Sequence, residues 1–211
     1  MCRLTITQMR DIKMKKVILL ILFIISISAV QANTRHHRYR NHHSQYHRHS
    51  HHAVHERRSE SRLAEVLAIM KNEEYDSAFK GNAMSVNWRI VKAACAVESG
   101  LKPNAHNKSG ATGICQMKRE TFRANSKRGN IHNAAHNIAA ANVYLSKLNS
   151  IWADSVKNKL DRQKYILASY NSGEGHVAKA NKKCGRGTYA KMEPCLPKET
   201  RNFVKLIMAS I

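Results

Sequence analysis

Acidic side chains are scarce in this sequence: 14 Asp and Glu stand against 36 Lys and Arg in 211 residues, a formal charge of +22. Such a balance points to a polyanionic partner. Aromatic residues are only 6%, and no nucleic-acid-binding signature accompanies the charge, so nucleic acid is not the polyanion expected. An anionic cell envelope fits better. Long hydrophobic runs are also missing. The apolar stretch Val17 to Val30 falls short of the roughly 20 residues a membrane helix needs. Internal repeats are absent.

What that apolar stretch does suit is a leader. Lys15 and Lys16 precede it, and Val30-Gln31-Ala32 puts small residues at the two cleavage-determining positions. These are the regions of a secretory signal peptide, expected at 14–32. Met14 is then the natural start, and 1–13, with Cys2, an upstream misreading of the start site. An uncleaved signal anchor is the alternative. With cleavage, no stable membrane span is expected, and the chain is exported to the periplasm or the exterior of a bacterium, or is phage-borne.

From 33 to 61 the composition changes. The segment holds nine of the 13 His residues, interleaved with Arg and without apolar periodicity, so it reads as a disordered tail. His36, His37, His42, His43, His47, His49, His51 and His52 offer donors to Zn, Cu or Ni. Ligand spacing of the zinc-finger type is absent, so such a site would be weak and adaptable. The other reading is a basic tether whose charge rises as pH falls through the unperturbed His value near ~6.5.

Residues 62–211 read as one compact, mainly α domain with at most a small β-hairpin. Leu63, Val66, Leu67 and Met70 mark a first helix by i, i+3, i+4, i+7 spacing. Ile138, Ala141, Leu145 and Leu148 mark another, Tyr165 to Tyr170 a further one, and Glu199 to Ile211 the last, with Phe203, Leu206 and Ile207 packing inward. Lys102 to Gly113 is rich in Asn, Gly, Lys and Ser and reads as an irregular loop, the place for the hairpin.

The helix from Trp88 to Ser99 carries the chemistry. At roughly 100° per residue, Val97, Ile90, Ala94, Val91, Cys95 and Trp88 share one half of the wheel, while Arg89, Lys92 and Ser99 take the other. Glu98 falls in the middle of the apolar half. Gly100 suits a left-handed cap and Pro103 prevents the helix from resuming, so Glu98 sits in the last turn, at the negative end of the helix dipole. Desolvation and the dipole both disfavour the ionised carboxylate, and an acid held protonated near neutrality can act as a general acid. An ordinary surface Glu beside a narrower stripe is the alternative.

Glu98-Ser99, Pro103 and Ala105, Gly113-Ile114-Cys115-Gln116, Ser169-Tyr170-Asn171-Ser172-Gly173, and Pro197, Glu199, Thr200, Phe203 and Val204 follow one another along the chain. This order resembles the soluble lytic transglycosylase domain, a family with a goose-type-lysozyme-like α+β fold, over essentially everything after Ser61. The resemblance implies that Glu98 is the sole catalytic acid/base, that Gln116 lines a sugar groove, and that Tyr170 approaches Glu98 while Asn171 shapes the same site. Ser99 and Asn107 belong to the implied substrate-binding set. The family usually has Ser at the place of Asn107, Met at Cys115 and Ala at Ser169. Asn107 matters most, because an amide replaces a hydroxyl contact to sugar.

Cys95, Cys115, Cys184 and Cys195 remain after the leader, and four Cys allow three pairings. Cys184 with Cys195 across a Gly-rich loop, and Cys95 with Cys115 between the catalytic helix and the Gln116 segment, is the expected set; buried thiols filling space are the alternative. A Cys–His nucleophile using His106, His132, His136 or His176 is disfavoured, since neither Cys95 nor Cys115 has the exposed, electropositive setting a reactive thiol needs.

Glycosidases generally use two carboxylates. After Glu98 only Glu120, Asp154, Asp161, Glu174, Glu193 and Glu199 follow, none in a convincing partner motif. A single-carboxylate route with an N-acetylated sugar removes the difficulty. The resemblance implies cleavage of peptidoglycan glycan strands between N-acetylmuramic acid and N-acetylglucosamine, ending in a 1,6-anhydro ring, with no cofactor. A water-adding muramidase of the same fold is one alternative. Another is a non-catalytic envelope- or metal-binding protein acting through its His-rich tail. Local wall clearing for a secretion system or pilus would make components of those machines further partners.

Overall fold

Seven consecutive residues of the helix Trp88–Ser99, from Ile90 to Ala96, are buried in the computed structural model, which describes residues 54, 56–126, 129–185 and 187–211. A helix apolar almost all round belongs inside a core, and this one, α3, is enclosed until its last turn. The chain divides into two units, Met1–Arg58 and Ser59–Ile211. Of the first, only residues 54 and 56–58 are described, and they are helical. The signal peptide expected at 14–32 and the His cluster from His36 to His52 lie outside the described residues.

In the second unit, α1 runs over 59–70, so helix already covers the last residues expected in the tail. There follow α2 (Asp76–Gly81), α3, α4 (Arg119–Asn125), α5 (Ala134–Ala153), α6 (Lys159–Ser172), α7 (Glu174–Cys184), α8 (Tyr189–Met192), a 3-10 turn Glu193–Cys195 and α9 (Lys198–Ser210). Extended pairing among the described residues is limited to antiparallel bridges of Thr112 with His106 and with Met117. The expected hairpin is reduced to these, within the Asn- and Gly-rich loop.

Asn side chains start α3, α5 and α6. Asn87, Asn133 and Asn158 accept the backbone N–H of Arg89, His136 and Asp161 at 3.0, 3.0 and 2.9 Å, satisfying donors that have no partner within their helix. Gly100 ends α3 at φ 67°, the left-handed cap expected, with its N–H on the Ala96 carbonyl. At the far end of α6, Gly173 (φ 86°) turns the chain into α7.

The core is built around α3 and α6. Tyr165 to Ser169 are buried in succession, because α6 packs against α5, α7, α8 and α9. In α5 the stripe Ile138, Ala141, Leu145 and Leu148 is fully buried, and Phe203 and Ile207 of α9 join the same core. In α1 the expected stripe needs one correction: Val66 is buried and Met70 packs on the core, but Leu67 is exposed and Ile69 takes its place.

A second correction concerns Lys92, placed by the wheel on the polar half of α3. It is 1% exposed. Its Nζ donates to the carbonyls of Met70 and Asn72 and to the Asp76 carboxylate at 2.9, 2.6 and 2.5 Å, so the cation is fully paired where it is buried. It ties the end of α1 and the start of α2 to α3. Lys92 holds the Asp76 carboxyl below the usual carboxylate range.

Candidate active site

The end of α3 opens onto a cleft of about 320 Å³. Ala96 is buried, whereas Val97, Glu98, Ser99 and Gly100 are half-buried; Glu98 therefore stands where the buried helix emerges. Burial pushes its carboxyl up from the ordinary range to about 7, and the nearby Glu199 carboxylate pushes in the same direction. Among the described residues no hydrogen bond or ion pair holds the Glu98 side chain. An acid displaced this far is close to half-protonated at neutral pH.

Glu199, set aside in the sequence as a carboxylate without a partner motif, lies 101 positions from Glu98 in the numbering, and only the packing of α9 on α3 brings the two together. Both line the cleft, with Asn107, Gln116, Tyr144, Tyr170 and Asn171. Tyr144, on α5, had no signal in the sequence. Its ring lies 5.8 Å from that of Tyr170 and its hydroxyl donates to Glu174 at 3.3 Å. Burial, then the Glu174 charge, pushes its phenol up to about 12.

Tyr170 sits close enough for the Glu98 charge to raise its phenol further, after burial has done most of that work. Its hydroxyl, however, donates to the Cys115 carbonyl at 2.6 Å. The approach to Glu98 that the resemblance implies thus brings no hydrogen bond to the acid: the phenol proton is committed to the wall behind it.

That wall is the segment 112–117, fixed from three sides. A disulfide joins Cys115 to Cys95, one turn before Glu98 on α3, and a second joins Cys184 to Cys195. The buried Asn137 amide donates to the Thr112 and Ile131 carbonyls at 3.2 and 2.8 Å and accepts the Cys115 N–H at 3.1 Å. Asn137 fills the space beside Gly113, where a Cβ would come within 2.3 Å of its Nδ2. The third hold is Ser99, whose hydroxyl donates to the Ile114 carbonyl at 2.6 Å and accepts the Lys102 N–H at 3.1 Å. Ser99 does not line the cleft; its hydroxyl is engaged in both directions, so the substrate contact expected of it is replaced by a structural one.

Gln116 adopts φ 48°, a left-handed backbone that costs a non-Gly residue about 1–2 kcal/mol. Its Nε2 donates to the Ala105 and Gly113 carbonyls at 2.9 and 3.0 Å. Both amide protons are thus spent, and the side chain offers the cleft its carbonyl oxygen. Asn171 is the converse: its Oδ1 accepts from the buried Thr200 hydroxyl at 2.8 Å, leaving the NH₂ to offer. Asn107 lines the cleft, but its Oδ1 accepts from the Ser109 N–H, the Ser109 hydroxyl and the Ala111 N–H. It organises the 107–111 turn as an Asx-type residue does.

Among the described residues no group of three or more His, Cys, Asp or Glu could hold a metal ion, and no helix is long and apolar enough to cross a membrane.

The family model for the transglycosylase SLT domain matches residues 77–192, a span that includes Glu98, Gln116, Tyr170 and Asn171. Membrane-bound lytic murein transglycosylase C of Shigella sonnei (strain Ss046) is 29% identical over 102 residues, 44% of this chain and 28% of the relative. The 70-kDa soluble lytic transglycosylase of Escherichia coli superposes with a TM-score of 0.56 at 22% identity, over 66% of this chain and 24% of the other. An inactive glutamate-to-glutamine mutant of lytic transglycosylase Slt from Pseudomonas aeruginosa gives 0.57 at 19% identity, over 65% and 23%. The matched region thus amounts to about a quarter of these relatives' length. The structural likenesses establish the fold: a mainly α, lysozyme-like domain.

Proposed function

The chain belongs to the transglycosylase SLT domain family, and on that premise we propose that it is a peptidoglycan lytic transglycosylase in which Glu98 is the acid and then the base. The observation that carries this reading is the Glu98 carboxyl, displaced to about 7 at the floor of a cleft whose walls present polar amides.

In the first step Glu98 gives its proton to the glycosidic oxygen between N-acetylmuramic acid and N-acetylglucosamine. The C1–O bond breaks, the bonding pair leaves with that oxygen, and the sugar's own acetamido oxygen stabilises the electron-poor C1. The ionised Glu98 then takes the proton of the muramic C6 hydroxyl as that oxygen bonds to C1. The products are a 1,6-anhydro end and a free 4-hydroxyl, with Glu98 protonated again. The Gln116 carbonyl suits an acetamido N–H, and the Asn171 NH₂ suits a carbonyl or hydroxyl of the sugar.

A hydrolytic reading has one observation in its favour: Glu199 stands in the same cleft as a second carboxylate. With Glu199 activating a water, the same cleft would be a muramidase.

Purified sacculi digested with the protein and with Glu98→Gln separate these readings by mass spectrometry. Anhydro ends, lighter by one water, are expected from the wild type and none from the variant. Reducing ends would establish the muramidase, and an active variant would remove Glu98 as the acid. The charge of +22 supports action at an anionic cell envelope outside the cytosol, weakening with salt.

A further inference from the structure

The two disulfides differ in reach. Cys95 and Cys115 are fully buried, whereas Cys184 and Cys195 are half-buried and adjoin the exposed Lys183 and Pro194. Exchange with an external thiol needs access to a sulfur, and it is faster when nearby cations stabilise the displaced thiolate. Lys182 and Lys183 precede Cys184, and the Lys191 side chain lies against Gly185; Glu193 is the one carboxylate in the same turn. The Cys184–Cys195 bridge is therefore the one a reductant meets.

What this bridge holds is the approach to the cleft. It ties the end of α7 to the 3-10 turn Glu193–Cys195. Glu199 follows Cys195 by four positions and enters the cleft from the first turn of α9. No side chain caps that turn. The next residue, Thr200, donates to the Asn171 Oδ1 at 2.8 Å and so orients an amide of the cleft wall. A clamp at Cys195 thus acts on a run of chain that ends in two cleft contacts.

We propose that the Cys184–Cys195 bridge is a redox-sensitive positioning device: closed, it fixes Glu199 and the Thr200–Asn171 contact; opened by a thiol reductant, it releases them and slows turnover. One external thiolate attacks a bridge sulfur and displaces the other as a thiolate. A second external thiol resolves the mixed disulfide. The two external thiols are oxidised to a disulfide, and their two electrons and two protons leave Cys184 and Cys195 as thiols. The slowing of turnover rests on the transglycosylase reading; the release of Glu199 does not.

The test treats the folded protein with dithiothreitol, then alkylates it and maps the modified Cys by peptide mass. Cys184 and Cys195 are expected to be modified and Cys95 and Cys115 spared. No modification, or modification of Cys95 and Cys115 ahead of them, overturns the proposal. Carboxyl NMR then follows Glu98 in the oxidised protein, the reduced protein and a Cys184→Ser, Cys195→Ser variant, with circular dichroism to check the fold. The titratable groups that share its cleft are Glu199 from α9, Tyr170 from α6, Tyr144 from α5 and Lys118. Of these, Glu199 adds to burial in raising Glu98. In both opened forms Glu98 is expected to titrate at lower pH and turnover of sacculi to fall about tenfold; the reductant should have no further effect on the variant. An unchanged titration, turnover equal to that of an active wild type, or loss of the fold on opening overturns the proposal. A wild type that cleaves no sacculi yet shows the shift in Glu98 overturns the enzymatic reading alone.

Discussion

Tyr170 and Cys115, 55 positions apart, are joined by a 2.6 Å hydrogen bond from phenol to carbonyl, and through it α6 holds the segment that carries Gln116. Tyr170→Phe removes the donor and leaves the carbonyl unpaired inside the protein, a cost of about 1–3 kcal/mol. The melting temperature should fall accordingly, and turnover of sacculi about tenfold or more, because a small displacement of positioning groups is expensive in rate. Unchanged turnover at reduced stability would confine Tyr170 to a structural role.

The alkaline limb of activity should follow the Glu98 proton. As an acid Glu98 works only while protonated, so the rate falls as pH rises through about 7. Glu199→Gln removes the like charge, which lowers the Glu98 value and moves that limb to lower pH. Burial is the larger cause, so the limb stays above the ordinary carboxylate range. A pH–rate profile checks this; uniform inactivation at every pH would instead make Glu199 a reacting group.

Stability carries the same signature. The folded-state value of Glu98 is raised, so the native protein binds more protons than the unfolded chain between the ordinary carboxylate range and about 7. Its favourable contribution is complete below that window and is lost as pH rises through it. Glu98→Gln should therefore unfold near the wild-type temperature at pH 4 and be the more stable by up to about 3 kcal/mol at pH 8. Thermal unfolding at the two pH values reads the difference directly.

The Cys95–Cys115 bridge closes a separation of 20 residues, for which the chain-entropy relation gives about 3 kcal/mol. Cys95→Ala with Cys115→Ala should lose that much, and activity as well, since Cys115 precedes Gln116 and carries the carbonyl that Tyr170 grips. Thiol counting under denaturing conditions should find no free thiol among the four Cys of the folded domain.

What the sequence by itself determined is local. Glu98 had to end a helix, because Gly100 and Pro103 stop it, and that helix had to be buried, because nearly every position from Ile90 to Val97 is apolar. The order of short motifs carried the family, the fold and, among the cleft residues, Glu98, Gln116, Tyr170 and Asn171, with Glu199 present in a motif but without a role. Tertiary structure decided the rest. Lys92 reads as a surface cation until the ends of α1 and α2 bring it two carbonyls and a carboxylate. Ser99 reads as a sugar contact until the Ile114 carbonyl claims its proton, and Glu199 and Tyr144 have no reason to face Glu98 until α9 and α5 are packed. Periodicity reports which face of a helix is buried, but a hydrogen bond or a charge pair between distant segments depends on where the other segment comes to rest, and no local pattern holds that information.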